Sequence, residues 1–367
     1  MMKVGGTFLL IFTLGSPAMA GLMYSITGLG PLPGGTCSNA MRVNDHGDVV
    51  GGSCVSTGGG GHATLWDGSV TDLHPGGIWT SSQANDINSS GTIIGILAAQ
   101  NAGAGFIYSG GNTTLLPTLS GSSFSFAYGI NNAGAIVGDA SFNTVDKPFL
   151  YSGGVISELP LLPGDTSGYA VAVNDAGQVV GYSYSGTPVL NSFFYSSGSI
   201  SKIAPLPNGS SVGVLDLNGS GEAVGNADFD STGSVRHAFL YSAGATLDLG
   251  VPGGFSSSQA LGINSAGAIV GQAYFTNYGG PSHAFLYNNG SWSDLNDHIP
   301  QNSGWVLKWA SDINDAGQIV GTGVFDGQDK AFLLTPTPIP EPNSSILFAT
   351  VLAVLCKPLW TKRRRTQ

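Results

Sequence analysis

Charged side chains are scarce in this sequence: Asp, Glu, Lys and Arg make up 9% of its 367 residues, and glutamate occurs only at Glu158, Glu222 and Glu341. A helix-rich protein carries more Lys, Glu, Leu and Ala, and much less than the 57 glycines present here. Disorder is excluded too, because 42% of residues are hydrophobic and 10% aromatic. Long apolar runs are missing. Short motifs that mark chemistry are missing as well: there is no Gly-x-Ser-x-Gly elbow, no His-Glu-x-x-His, no phosphate loop and no Cys-x-x-Cys. What remains is a composition suited to many short strands joined by Gly-rich turns.

Basic residues are few and unevenly placed. Six of the twelve lie at the ends (Lys3, Lys357, Lys362, Arg363, Arg364, Arg365). The chain between them holds six (Arg42, Lys147, Lys202, Arg236, Lys308, Lys330) against 22 acids, a formal charge of −16. Such a body repels phosphate backbones and anionic lipid, so nucleic-acid binding is not expected.

Residues 1–20 read as a secretory signal peptide: Lys3, an apolar run over 7–14, then Ser16-Pro17-Ala18-Met19-Ala20 with small residues for signal peptidase. The run is too short to span a bilayer. At the other end, residues 335–345 form a Pro-rich linker, and residues 346–367 an apolar segment with a basic tail. Pro340-Glu341-Pro342, the apolar segment and the terminal Arg cluster resemble the PEP-CTERM sorting signal of Gram-negative bacteria. That resemblance implies a transient transmembrane helix at the inner membrane and an exosortase that releases or transfers the protein to the cell surface. This chain departs from the pattern in its short apolar segment, broken by Lys357 and Pro358.

Residues 21–334 are repetitive. The pattern Asn-x-x-Gly-x-(Val/Ile/Ala)-(Val/Ile)-Gly occurs seven times, at Asn44, Asn88, Asn131, Asn174, Asn218, Asn264 and Asn314, spaced by 44, 43, 43, 44, 46 and 50 residues. Asn can bond its own backbone two residues on, and Gly supplies the positive φ that closes a type I hairpin with a bulge. Calcium is the rival reading, suggested by Asp312-Ile313-Asn314-Asp315. The residues after the seven asparagines read Asp45, Ser89, Asn132, Asp175, Gly219, Ser265 and Asp315, so no carboxylate set recurs, and calcium needs six to eight oxygens.

Each unit carries four strand-like runs, a to d, with a and b flanking the Asn turn. The seventh unit lacks run d, while residues 23–29 precede the first unit and look like a run d. A ring explains this split: the N-terminal strand completes the last sheet. The expected fold is all-β, a seven-bladed β-propeller of four-stranded antiparallel blades.

His237-Ala238-Phe239 and His283-Ala284-Phe285 resemble the HAF family of probable extracellular repeats, which implies export and a repeat fold but no activity. The motif's His is occupied across the units by His62, Ala104, Lys147, Asn191, His237, His283 and Lys330, which no ring of metal ligands tolerates.

Cys37 and Cys54 lie in runs a and b of the first unit. Across a hairpin centred on residues 44–47, paired residues have numbers summing to about 91. Arg42 then pairs with Val49, and Cys37 with Cys54. A disulfide is expected, closing a loop of roughly 18 residues and contributing about 3 kcal/mol.

A binding surface is expected on the b–c and d–a loops, which share one face. Its candidates are Trp79, Phe142, Tyr182, Tyr184, Phe229, Tyr274, Tyr278 and Trp305, with ordinary loop packing as the alternative use of these rings. No catalytic, cofactor or metal residues are assigned. The functional expectation is an exported, non-catalytic surface or biofilm-matrix protein that binds polysaccharide or a protein partner. The alternative is a secreted hydrolase or lyase on the same scaffold, which two or three Asp converging at the ring axis would favour.

Overall fold

The computed structural model describes residues 23–55, 60–186, 191–230, 232–276 and 278–337. The segment read as a signal peptide, the Pro340-Glu341-Pro342 motif and the apolar, basic tail lie outside the described residues. No helix among the described residues is long and apolar enough to cross a membrane.

The first turn shows how a unit is built. Asn44 N–H donates to the Asp48 carbonyl and Gly47 N–H to the Asn44 carbonyl, each at 3.0 Å. Gly47 sits at φ +88°, a left-handed conformation that side chains disfavour. The turn joins Cys37–Val43 to Val49–Cys54; Gly61–Trp66 and Val70–Asp72 complete blade 1. Register is Cys37 to Cys54 and Ala40 to Gly51, but a bulge at Met41 shifts the pairing by one, so Arg42 faces Val50 rather than the expected Val49. The extra residue re-aims the strand end next to the turn.

The last Gly of each repeat is required by this bulge and by the next strand. A Cβ on Gly138 would lie 1.8 Å from the Phe126 carbonyl oxygen and 3.0 Å from the Phe149 ring. Phe149 stands opposite Gly138 on the third strand, as Phe106, Phe193, Phe239, Phe285 and Phe332 stand opposite their own glycines. These six rings are fully buried; blade 1 has Thr64 at the same place.

Seven four-stranded antiparallel sheets result. The first strands of blades 2 to 6 are Ser81–Ile87, Phe124–Ile130, Ser167–Val173, Val212–Leu217 and Ser257–Ile263. Blade 7 contains Trp305–Ile313, Ile319–Phe325 and Gln328–Thr337, and its fourth strand is Met23–Leu29. The N-terminal strand therefore completes the last blade, as expected, and the ring is closed by strands from both ends of the chain. The third strand runs to Thr337, beyond the boundary at 334 that the sequence suggests.

Residues Tyr24–Thr335 form one compact unit. A second unit, residues 1–23 and 336–367, is described only at Met23, Pro336 and Thr337, where the Thr337 hydroxyl donates to the Met23 carbonyl at 2.8 Å. Seven apolar clusters each join two neighbouring blades, for example Val50, Ala63 and Leu73 of blade 1 with Ile87, Ile93 and Phe106 of blade 2. The seam is packed the same way: Leu29, Val320 and Ala331 of blade 7 meet Ala40, Val49 and Trp66 of blade 1. Ser38 bridges it, donating to the Leu29 carbonyl at 2.6 Å and accepting from Ala331 N–H at 3.1 Å.

Candidate functional site

The repeat asparagines form a closed ring of blade-to-blade bonds. Asn44 Nδ2 donates to the Asn88 carbonyl, Asn88 to Asn131, Asn131 to Asn174, Asn174 to Asn218, Asn218 to Asn264, Asn264 to Asn314 and Asn314 back to Asn44, at 2.9–3.3 Å. The amide oxygen serves its own turn: Asn264 Oδ1 accepts from Ala266 N–H at 3.2 Å and Ala268 N–H at 2.9 Å. One planar amide thus closes a hairpin and fixes the next blade. The turn reading is supported, with a second duty that repeat spacing alone does not reveal. Among the described residues, no group of three or more His, Cys, Asp or Glu is placed to hold a metal ion.

Two residues before the asparagines lie Arg42, Asp86, Gly129, Ala172, Asp216, Gly262 and Asp312. Arg42, Asp86, Asp216 and Asp312 line an axial cavity of about 230 Å³ on the side of the Asn turns. Three aspartates do converge there, the arrangement that would favour an enzyme. Their oxygens, however, reach the following blade. Asp86 Oδ2 accepts from Ile130 N–H, Asp216 Oδ2 from Ile263 N–H and Asp312 Oδ2 from Val43 N–H, all at 2.9 Å. Arg42 lies between Asp312 and Asp86 in blade order and faces Asp216 Oδ1 at 3.7 Å. Burial would lower the Arg42 pKa, but Asp216, Asp312 and Asp86 more than offset it and hold the guanidinium above its ordinary value. Burial pushes the Asp86 carboxyl up to about 6 against the opposing pull of Arg42. Burial raises Asp312 as well, again opposed by Arg42.

The motif histidines have a local partner. His62, His237 and His283 each place Nδ1 within 2.6–2.9 Å of a carboxylate on the fourth strand, Asp72, Asp248 and Asp294. Their rings rest against His74, Phe229 and Phe275. Lys147 does the same with Glu158 at 3.5 Å. Each pair lies within a single blade: His62 in blade 1, Lys147 in blade 3, His237 in blade 5 and His283 in blade 6.

The predicted loop-face rings divide. Tyr182 and Tyr274 are buried; Tyr182 donates its hydroxyl to the Val214 carbonyl and Tyr274 to Gln259. Trp79 and Phe142 pack against the inter-blade clusters, and Trp305 stacks on Phe325 at 5.0 Å. Tyr184 donates to Asp146 at 3.4 Å, and Phe229, 45% exposed, lies 3.8 Å from the His237 ring. Seven of the eight are therefore occupied with packing or local bonds, and the eighth, Tyr278, sets its ring 5.1 Å from that of Tyr274. Tyr182 and Tyr278 come together in a cleft of about 250 Å³, lined also by Tyr169, Ser211, Val212, Gly213, Leu215, Asn226, Asp228, Arg236 and Gln259. Arg236 Nε lies 3.2 Å from Asp228 Oδ1, and its guanidinium sits 4.4 Å from the Tyr278 ring centre. Asn226, Asp228 and Gln259 are buried. Sequence reasoning missed Arg236, Asn226, Asp228 and Gln259 as one group because they lie on two blades and share no repeat position.

The fold defines a closed seven-bladed propeller. A family described as "Protein of unknown function (DUF3466)" has a model that matches residues 163–335, which span blades 4 to 6 and the three C-terminal strands of blade 7. No curated protein sequence matches the chain. Among solved structures, a puromycin-hydrolyzing peptidase of Mycobacterium tuberculosis is similar with TM-score 0.56 and 10% identity, over 87% of this chain and 55% of that one. The chain thus spans about half of that peptidase's length. YCF48 bound to D1 peptide is similar with TM-score 0.53 and 11% identity, over 89% and 99% of the two chains. The β-propeller domain of the trilobed protease from Pyrococcus furiosus, described as an open velcro, is similar with TM-score 0.52 and 10% identity, over 84% and 100%. At these identities the likeness concerns the fold alone.

Proposed function

We propose that this chain is an exported, non-catalytic cell-surface or extracellular-matrix protein that binds a polysaccharide or a protein partner through the face carrying its b–c and d–a loops. The observation that carries this reading is the cleft at that face, where Arg236, Asp228, Asn226 and Tyr278 present polar and aromatic groups together. Export is supported by the Cys37–Cys54 disulfide, Cα atoms 5.0 Å apart, which belongs in an oxidising compartment. The HAF-like repeats and the PEP-CTERM-like tail support a path through signal peptidase, a membrane-tethered precursor, exosortase and the surface of a Gram-negative cell.

One observation favours a second reading. Asp86, Asp216 and Asp312 meet at the axis with raised proton affinity at two of them, which suits a hydrolase or lyase. Their use as blade-to-blade acceptors weighs against it. A polysaccharide array probed with the exported protein tests both. Retention without release of reducing ends supports the binding protein. Turnover that disappears in Asp312→Asn, with the fold intact, would establish the enzyme.

A further inference from the structure

We infer that the cleft between blades 4, 5 and 6 is a binding site for one uncharged sugar ring presented with neighbouring free hydroxyls. This deepens the binding reading above and rests on it.

The cleft exists because of a missing side chain. At the inner-strand position where the other blades carry Asn39, Gln83, Phe126, Tyr169, Gln259 and Trp309, blade 5 has Gly213. A Cβ there would meet Asn226 Oδ1 and the Tyr182 hydroxyl at 3.3 Å, so even one carbon encroaches on the space. The opening of about 250 Å³ lies below the roughly 300–1,000 Å³ of drug-sized sites, and suits a single ring rather than an oligomer.

Its chemistry is mixed and held in place. Asp228 is fixed by Ser210, whose hydroxyl donates to Oδ2 at 2.9 Å, and by Arg236 at Oδ1. Among the described residues, no second carboxylate pairs with the Arg236 guanidinium, which leaves its remaining N–H donors for a ligand. Asn226 Oδ1 is taken by Gln259 Nε2 at 3.1 Å, so its Nδ2 donor is the free end. Adjacent hydroxyls on a sugar ring are both donors and acceptors; an Arg donor beside an Asp acceptor matches such a pair, and tyrosine rings cover the ring's C–H faces. Charge decides the class. Arg236 and Asp228 neutralise each other, and the chain between its basic ends carries −16, so a uronate is repelled where a neutral hexose is not.

The test is calorimetric titration of the purified exported protein with the methyl glycosides of glucose, galactose and mannose, and with galacturonate at low salt. At least one neutral glycoside should bind in the millimolar range, and galacturonate at least threefold more weakly. Tyr278→Ala should lose tenfold or more with an unchanged melting temperature, and Gly213→Phe should abolish binding by filling the cleft. Should Gly213→Phe fail to fold, Tyr278→Ala decides alone. Neutral sugars bound equally by wild type and Tyr278→Ala would overturn the cleft while leaving a binding protein. Tighter binding of galacturonate would overturn the ligand class. No binding of any sugar would overturn the inference, and a partner protein whose footprint covers the loop face would then preserve the broader reading.

Discussion

Asn314 Nδ2 donates to the backbone carbonyl of Asn44 at 2.9 Å, across 270 residues of sequence. It is the seventh link of a ring whose other six links join repeats neighbouring in sequence. The bond exists only if the last blade lies beside the first, so the same residue type that shapes a local turn also closes the molecule.

Asn264→Ala tests that double duty. It removes one inter-blade donor and the acceptor for two turn amides, and leaves the buried Asn314 carbonyl without that partner. A loss of about 2–4 kcal/mol is expected in denaturant unfolding. Asn264→Asp keeps the turn acceptor but aims an oxygen at a carbonyl, and should lose a comparable amount. A fully stable Asp variant would show that the ring bond contributes nothing.

The axial carboxylates predict an unusual pH response. Asp86 and Asp312 have folded-state pKa values raised above those of the unfolded chain, so the folded state binds protons more tightly. Their contribution is fully present below the unfolded value near 4 and is lost as pH rises through about 6 for Asp86. Melting temperature should therefore fall between about pH 4.5 and 7, and Asp86→Asn should flatten that slope. A slope unchanged by the substitution would remove Asp86 from the explanation.

Phe239 and Phe229 are both aromatic but differ in setting. Phe239 is fully buried opposite Gly225, whereas Phe229 is 45% exposed. Phe239→Ala should cost about 3–5 kcal/mol and Phe229→Ala less than about 1 kcal/mol by thermal unfolding. Equal losses would mean that the glycine-facing rings do not dominate the packing.

The Cys37→Ser/Cys54→Ser double variant should lose about 3 kcal/mol, measured under non-reducing conditions against wild type. Wild type treated with a thiol reductant should match it. Free-thiol labelling of the untreated wild-type protein should find neither Cys37 nor Cys54.

Much of this architecture is readable from residues near one another in sequence. Asn-x-x-Gly is a turn because of bonds within four residues, and its period counts the blades. The phase of the runs places Leu29 in the last blade, and hairpin arithmetic pairs Cys37 with Cys54. The same arithmetic misplaces Arg42 by one position, because a bulge is a compromise between the inner strand and its neighbours. Arg42, Asp86, Asp216 and Asp312 do carry a signal, since each stands two residues before a repeat asparagine, but in three units that position is Gly or Ala. The cleft carries none, because it depends on Gly213 failing to fill a space bounded by Tyr182, Asn226 and Tyr278.

By itself, then, the sequence determined the turns, the strand pattern, the sevenfold period and the split of the last blade between its two ends. These follow from short-range sterics and hydrogen bonding. Only the tertiary structure decided that Asn44 and Asn314 touch, that three aspartates act as clasps around one arginine, and that Arg236 and Tyr278 meet over an empty position. Those outcomes depend on how neighbouring blades pack, and in a ring each blade's surroundings come from residues some forty to several hundred positions away.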